Sequence, residues 1–437
     1  MSLNQLLARL FHLRLYRPPE PVPPGLYHHM READGTYTRF HLRVEPDGSG
    51  VLLANATAAA RLSPSGVVMA KGLLEGEDEE AIVQDLAARF RGASREVMRG
   101  DLGRVKALIA ELAAPGDNYP IINLEDAAVS PHEARLMAPL RADVPLAEPE
   151  RLVPIIDRLW EVGIPHITIL APENPDAGHL VRAIERAEDS GMIAGVRGRG
   201  SDLGQGTLLK DLALAGVDHL TVLYASTERD IHDALGGEGD QAAAERVMAA
   251  AQEYEVCPVA EVPLVEATLD TVDEVLAALT ESGVTNVSFF AIATPDETPA
   301  GQRDGAITAS AMPQVAALVE ETAHEEQVRY IWQPPVMRNP ARSLAAQVRQ
   351  GPRCSGDVAV RVEPDGAVIP PRGPYLSAGN LLSAPWDAIW EHPAFRTYRE
   401  RVEAPTRCDV CPGLAICAAD CPREQAGWSR DDPGGEK

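Results

Sequence analysis

Residues 208–248 read LLKDLALAGVDHLTVLYASTERDIHDALGGEGDQAAAERVM. The first eight carry apolar side chains at helical spacing, and Gly216 closes them, since glycine enters the left-handed region without a Cβ penalty. Residues 218–224 then form a short β-rich run, and residues 241–254 return to helical spacing. The same alternation recurs on both sides. Upstream lie a strand at 119–124, a helix at 150–162 stopped by Gly163, a strand at 165–171, a helix at 177–192 interrupted near its end by Gly191, and a strand at 193–197. Downstream lie a strand at 257–265, a helix at 271–281 before Gly283, a strand at 284–291, a helix at 314–325 and a last strand at 328–332. Six such units predict an α/β fold around a parallel sheet, either doubly wound or an open barrel. Both arrangements put ligands at the C-terminal ends of the strands.

The chain has 437 residues, enough for two to four domains, and a formal net charge of −25. Such a charge repels phosphate backbones and anionic lipid, which argues against nucleic-acid and membrane partners. No stretch approaches the roughly 20 apolar residues a spanning helix needs. Residues 1–19 are apolar but broken by Arg9, Arg14 and Arg17, unlike a signal peptide. A cytoplasmic location is expected, where thiols stay reduced.

Before the βα series the pattern differs. Residues 1–25 break at Pro18, Pro19, Pro21, Pro23 and Pro24 and read as an extended spacer. Residues 37–53 predict a hairpin turning at Pro46-Asp-Gly-Ser-Gly50. Ser63 as N-cap and Pro64 at the first helical position start a helix that stops at Gly76. Helices at 78–90 and 94–113 follow, the first with acids in its opening turn and Arg89 at its end. A hairpin with three helices predicts a small winged-helix-like module.

The other outlier is Cys408-x2-Cys411-x5-Cys417-x3-Cys421, which holds four of the six cysteines within fourteen positions. Thiolates this close converge on one zinc ion or one iron–sulfur cluster, and spacing leaves both open, beside inert buried thiols. Cys257, at a strand start before Pro258, reads as a core thiol.

Three resemblances follow from these residues. The 208–248 stretch resembles the middle of a radical SAM barrel, and Ala171-Pro172-Glu173-Asn174 falls where that family has Gly-Gly-Glu-Pro. The likeness implies that Glu173 helps to hold the amino group of S-adenosylmethionine. The four-cysteine run, with Cys354 and Gly366 upstream, resembles the SPASM domain of peptide-modifying radical SAM enzymes. It implies that Cys408, Cys411 and Cys417 hold an outer cluster, and that Cys354 and Cys421 belong to an inner one. The Gly-x4-Cys position of that domain is Pro371 here and no cysteine follows Cys421, so one site using Cys421 as fourth ligand is expected, a [4Fe–4S] cluster or zinc. The order of hairpin and three helices resembles the PqqD-like RiPP recognition element, which implies a precursor peptide added to the sheet edge. The domains are then 1–115, 116–335 and 336–437: a winged-helix-like module, a partial (β/α)6 radical-SAM-like barrel and a SPASM-like domain.

One departure governs function. The family binds its catalytic cluster through Cys-x3-Cys-x2-Cys after the first strand, and the span after Leu124 has no cysteine. Asp126, His132 and Glu133 in that span are poor substitutes for soft ligands. Reductive cleavage of S-adenosylmethionine is therefore not expected. The sequence points to a degenerate, non-catalytic relative with no catalytic residue, which binds metal at its C-terminus and a peptide or partner protein. The alternative is an iron–sulfur oxidoreductase or peptide-modifying enzyme with non-standard cluster ligation, using acids such as Asp126, Glu133 and Glu173 and histidines such as His132 and His166 near strand ends.

Overall fold

The computed structural model describes residues 21–33, 36–54, 58–90, 92–113, 137–355, 359–395 and 428–430. Its first unit is an antiparallel meander of β1 (Gly25–Ala33), β2 (Thr36–Val44), β3 (Gly50–Ala54) and β4 (Ala58–Leu62). Three helices follow: α1 (Pro64–Glu75), α2 (Glu79–Arg89) and α3 (Arg95–Ala113). The expected helix boundaries hold because the caps are local. The Ser63 hydroxyl accepts from the Gly66 amide, Asp78 accepts from the Glu80 amide, and Gly76 adopts φ 75°. The strands β1 and β4 are additional to the expected hairpin.

Alternation along β2 and β3 divides their side chains between two cores. Phe40, Leu42, Val44 and Leu52 pack with Val67, Leu73 and Ile82 of the helices. Val51 and Leu53 point the other way and join the core of the larger unit. His41 and Arg43 share that second face and are fully buried, so polar residues that ordinarily mark a solvated face here mark an interface.

The larger unit is the βα series. Its strands are β5 (Arg141–Pro145), β6 (His166–Leu170), β7 (Ile193–Gly198), β8 (His219–Leu223), β9 (Cys257–Leu264), β10 (Asn286–Thr294) and β11 (Arg329–Trp332). Each pairs in parallel with the next in sequence. The order never reverses, so right-handed crossovers lay every connecting helix on one face. A doubly wound sheet needs a reversal; the sheet is therefore of the open-barrel kind. The helices include α4 (Pro149–Glu161), α5 (Ala177–Asp189), α6 (Leu208–Leu214), α7 (Asp240–Glu253), α8 (Val272–Glu281) and α9 (Met312–Glu325). Their apolar stripes, such as Leu152, Ile155, Ile156 and Leu159 of α4, cover Ala142, Val144, Ile167 and Ile169 of the strands.

The strand that feeds α4 is β5, where a loop was expected; the strand expected at 119–124 lies outside the described residues. A short helix, α10 (Leu344–Gln350), follows the barrel. The expected hairpin after Cys354 is β12 (Ala359–Val362) with β13 (Val368–Ile369). It extends the barrel sheet, since β12 pairs in parallel with β5. Residues 428–430 return to the opposite edge, where Ser429 bridges Val336. No helix among the described residues is long and apolar enough to cross a membrane.

Candidate functional site

The C-terminal ends of β5, β6 and β7 open into a pocket of about 330 Å³. Its floor is Pro145, Leu146, Leu170 and Ala171, and α10 covers it with Ala346, Arg349 and Gln350. Four guanidinium groups reach the lining: Arg197 and Arg199 from the end of β7, Arg349 from α10 and Arg361 from β12. Arg197 is gripped by both carboxylate oxygens of the fully buried Glu261 and by the Gln350 carbonyl. Arg199 donates to Asp202 at 2.7 and 3.1 Å and to the Gly236 carbonyl, and the Asp202 bonds push its pKa up. Arg361 pairs with Glu363 at 2.5 Å. Gly351, at φ 67°, lies against the Arg197 guanidinium, and any Cβ there would collide with it.

Below the pocket the barrel lumen is polar and nearly full. Arg141, Asp143, His166, Thr168, His219, Glu261, Ser288 and Gln333 are all buried. Arg141 Nε donates to His166 Nδ1 at 3.2 Å, so that nitrogen carries no proton. His166 Nε2 therefore donates to His219 Nε2 at 2.7 Å, which leaves the His219 proton on Nδ1. Burial, helped by Arg141, pushes the His219 pKa down to about 3 and that of His166 well below its usual value, so both rings are neutral. The two rings meet only because Gly195 lies alongside them: a Cβ there would come within 2.1 Å of the His219 ring. The cavity left beside Thr168 and His219 measures about 20 Å³, room for one water molecule.

The latch around α7 explains the HDALGGEGD stretch. His232 accepts from the Ala225 amide through Nδ1 and meets Asp240 through Nε2 at 3.1 Å. Asp233 accepts from the Gly239 and Gln241 amides and so holds the helix start. These residues fix the βα loops rather than face the pocket.

The expected site residues fall in different places. Glu173 stands at the pocket wall, with Oε1 3.4 Å from Arg199 and 3.5 Å from Arg349. His166 is not near a C-terminal strand end; it starts β6 in the sealed lumen. Cys257 is a core thiol, accepting from Asn286 Nδ2 at 3.5 Å, and burial lifts its pKa to about 12. Cys354 is buried beside Arg353, whose guanidinium donates to the carbonyls of Pro370, Arg372, Gly373 and Arg430. Asp126, His132, Glu133, Cys408, Cys411, Cys417 and Cys421 lie outside the described residues. Among the described residues no group of three or more His, Cys, Asp or Glu side chains is arranged to hold a metal ion. The sequence reading missed the four pocket arginines. Their only local signal is Arg197-Gly-Arg199-Gly at the end of a strand.

No family model and no curated protein sequence matches this chain. Solved structures do. Streptococcus suis SuiB bound to S-adenosylmethionine superposes with a TM-score of 0.53 at 10% identity, over 93% of this chain and 99% of that one. A second SuiB structure gives 0.52 at 12% identity, over 90% and 98%. SuiB bound to the precursor peptide SuiA gives 0.50 at 10% identity, over 90% and 97%. At such identity the likeness is one of fold: the chain shares the fold of SuiB.

Proposed function

We propose that this chain is a radical-SAM-fold binding protein that does not cleave S-adenosylmethionine, carries one metal site at its C-terminal cysteines, and engages a peptide during maturation of a peptide or protein. The observation that carries the reading is the link between β5 and α4. It is three residues long, Leu146-Ala147-Glu148, and follows the first strand of the parallel sheet among the described residues; taken as the counterpart of the family's cluster-binding loop, it has no cysteine. Among the described residues, none that lines the adjoining pocket is a cysteine. A site-differentiated [4Fe–4S] cluster needs three thiolates, so these residues do not fit one. The ion-paired, nearly filled lumen beneath the pocket also supports binding over chemistry, because it leaves no room for a substrate between the strands.

At the C-terminus the residues suit a metal better. Cys408, Cys411, Cys417 and Cys421 fall within fourteen positions of the sequence, and Cys354 stands next to the Arg353 hub that ties residues 370–374 to Arg430. Phe395 and Trp428, each fully buried, bracket the cysteine segment. A bound metal would crosslink that segment and stabilise it. Peptide engagement is supported by the four-stranded sheet, whose outer strands β1 and β4 each pair on one side only among the described residues. An extended peptide adds a strand to such an edge. The SuiB structure with its precursor peptide is consistent with this reading.

The test is metal and sulfide analysis of anaerobically purified protein, with a 5′-deoxyadenosine assay under reducing conditions. About four irons or about one zinc per chain, without 5′-deoxyadenosine, is the expected result. About eight irons per chain, or formation of 5′-deoxyadenosine, would overturn the proposal in favour of an enzyme with non-standard ligation.

A further inference from the structure

The pocket at the mouth of the barrel holds its own clue to a ligand. Three of its guanidinium groups are fixed by dedicated partners: Arg197 by Glu261, Arg199 by Asp202 and Arg361 by Glu363. Arg349 differs, because Glu173 is its one ion-pair partner among the described residues. The Glu173 side chain is 60% exposed, and one of its carboxylate oxygens, Oε1, lies 3.4 and 3.5 Å from Arg199 and Arg349. Those separations are longer than a normal N–H···O hydrogen bond. Glu173 is thus a loosely held counter-ion, and it marks the point on which two guanidinium groups from different parts of the chain converge. The gathering is local, since the chain as a whole carries a net charge of −25.

We propose that this pocket binds a small molecule bearing a carboxylate or phosphate group, which displaces Glu173 and is clamped between Arg199 and Arg349. Guanidinium pairs recognise these planar or tetrahedral anions through charge-assisted hydrogen bonds. The apolar wall of Pro145, Leu146, Leu170 and Ala171 takes the rest of the ligand. A volume of about 330 Å³ suits a small metabolite and not a peptide. The same geometry disfavours an ammonium group, which would share the space with two guanidinium charges. This assignment rests on the reading of the fold as a binding protein and supplies its ligand class.

The experiment is calorimetric titration of the full chain with succinate, with glycerol 3-phosphate and with S-adenosylmethionine, using wild type, R349Q and E173Q. At least one of the two anions should bind wild type, and the tighter one identifies the group recognised. R349Q should weaken that binding at least about tenfold. E173Q should tighten it about threefold or more, because the internal competitor is gone. The two variants move affinity in opposite directions, which a general loss of structure would not do. Absence of anion binding at millimolar concentration, or equal affinity in R349Q, would overturn the assignment and leave the reading of the fold untouched. Turnover of S-adenosylmethionine would overturn that reading itself.

Discussion

The two ends of the parallel sheet carry similar residues and use them differently. At the N-terminal ends of the strands, Arg39 reaches Asp218 at 2.9 Å, and Arg43 reaches Glu45 at 2.8 Å and the Pro139 carbonyl at 2.8 Å. His41 meets the Gly191 carbonyl, and its ring packs near Trp160 at 5.8 Å. These groups join the N-terminal sheet to the barrel floor and are buried or nearly so. At the C-terminal ends, Glu173 faces its arginines at longer range and in solvent. Floor charges that are desolvated and short-paired hold two units together; at the mouth Arg197, Arg199 and Arg361 are also short-paired, and Glu173, exposed and loosely paired, is free to exchange partners.

The lumen between the two ends supplies the most severe tests. Gly195→Ala drives a methyl group into the His219 ring, with 2.1 Å to the nearest atom. We expect a loss of at least about 3 kcal/mol, or failure to fold, read by urea denaturation. Adding His219→Ala should recover part of the loss; no recovery would mean that the two rings do not define that layer. Next, Arg197→Met leaves the Glu261 carboxylate buried without its partner, at a cost of about 3–5 kcal/mol. Arg197→Met with Glu261→Leu should be far milder than Arg197→Met alone. Equal losses would show that Arg197 acts mainly through the Gln350 carbonyl and so closes the mouth.

Acid should act on the floor and lumen. Burial lowers the pKa of His28, drives His41 and His219 to about 3, and lowers His166 strongly. The unfolded chain takes up these protons near pH 6.5, while the folded chain does not. Their stabilisation is therefore complete above about pH 6.5 and is lost as pH falls toward about 3. Asp218 has the opposite sign: burial, opposed by Arg39, raises it to about 6. Folded Asp218 holds a proton that the unfolded chain has released, so it offsets part of the loss between about pH 4 and 6. Urea midpoints measured from about pH 7.5 to 5 should fall, and His41→Gln should make that fall shallower. An unchanged slope in the variant would remove His41 from the account.

What the sequence made legible follows the range of the forces involved. The α1 boundaries were readable because Ser63, Pro64 and Gly76 act within one turn of the helix. The strands β6, β7, β8 and β10 were readable because each is a largely apolar run that follows a glycine stop, at Gly163, Gly191, Gly216 and Gly283. The strand β5 was not, because Arg141 and Asp143 are charged and become acceptable inside only through His166 and Ser355, 25 and 212 residues away. The strand β4 begins Ala58-Ala-Ala, which has weak β propensity and is set by pairing with β3. The choice between barrel and doubly wound sheet was equally nonlocal, since it depends on strand order. At the pocket, Glu173 stood out in the sequence only through the resemblance of residues 171–174 to Gly-Gly-Glu-Pro, and Arg349 and Arg361 enter from beyond the barrel, where no local pattern ties them to it.

The smallest effect on stability separates the two ends most directly. Asp218→Asn at the floor removes a desolvated partner of Arg39 and should cost about 2 kcal/mol near neutral pH. That cost should grow as pH falls from about 6 toward 4, because the wild-type carboxyl holds a proton in the folded chain there and gains stability from it, which Asn cannot do. Glu173→Gln at the mouth removes an exposed carboxylate held beyond hydrogen-bond range, and surface pairs of that kind contribute at most a few tenths of a kcal/mol. Its urea midpoint should therefore match wild type, even as its affinity for an anion rises. A clear loss of stability in Glu173→Gln would mean that the mouth is locked as the floor is, and that its carboxylate is structural rather than exchangeable.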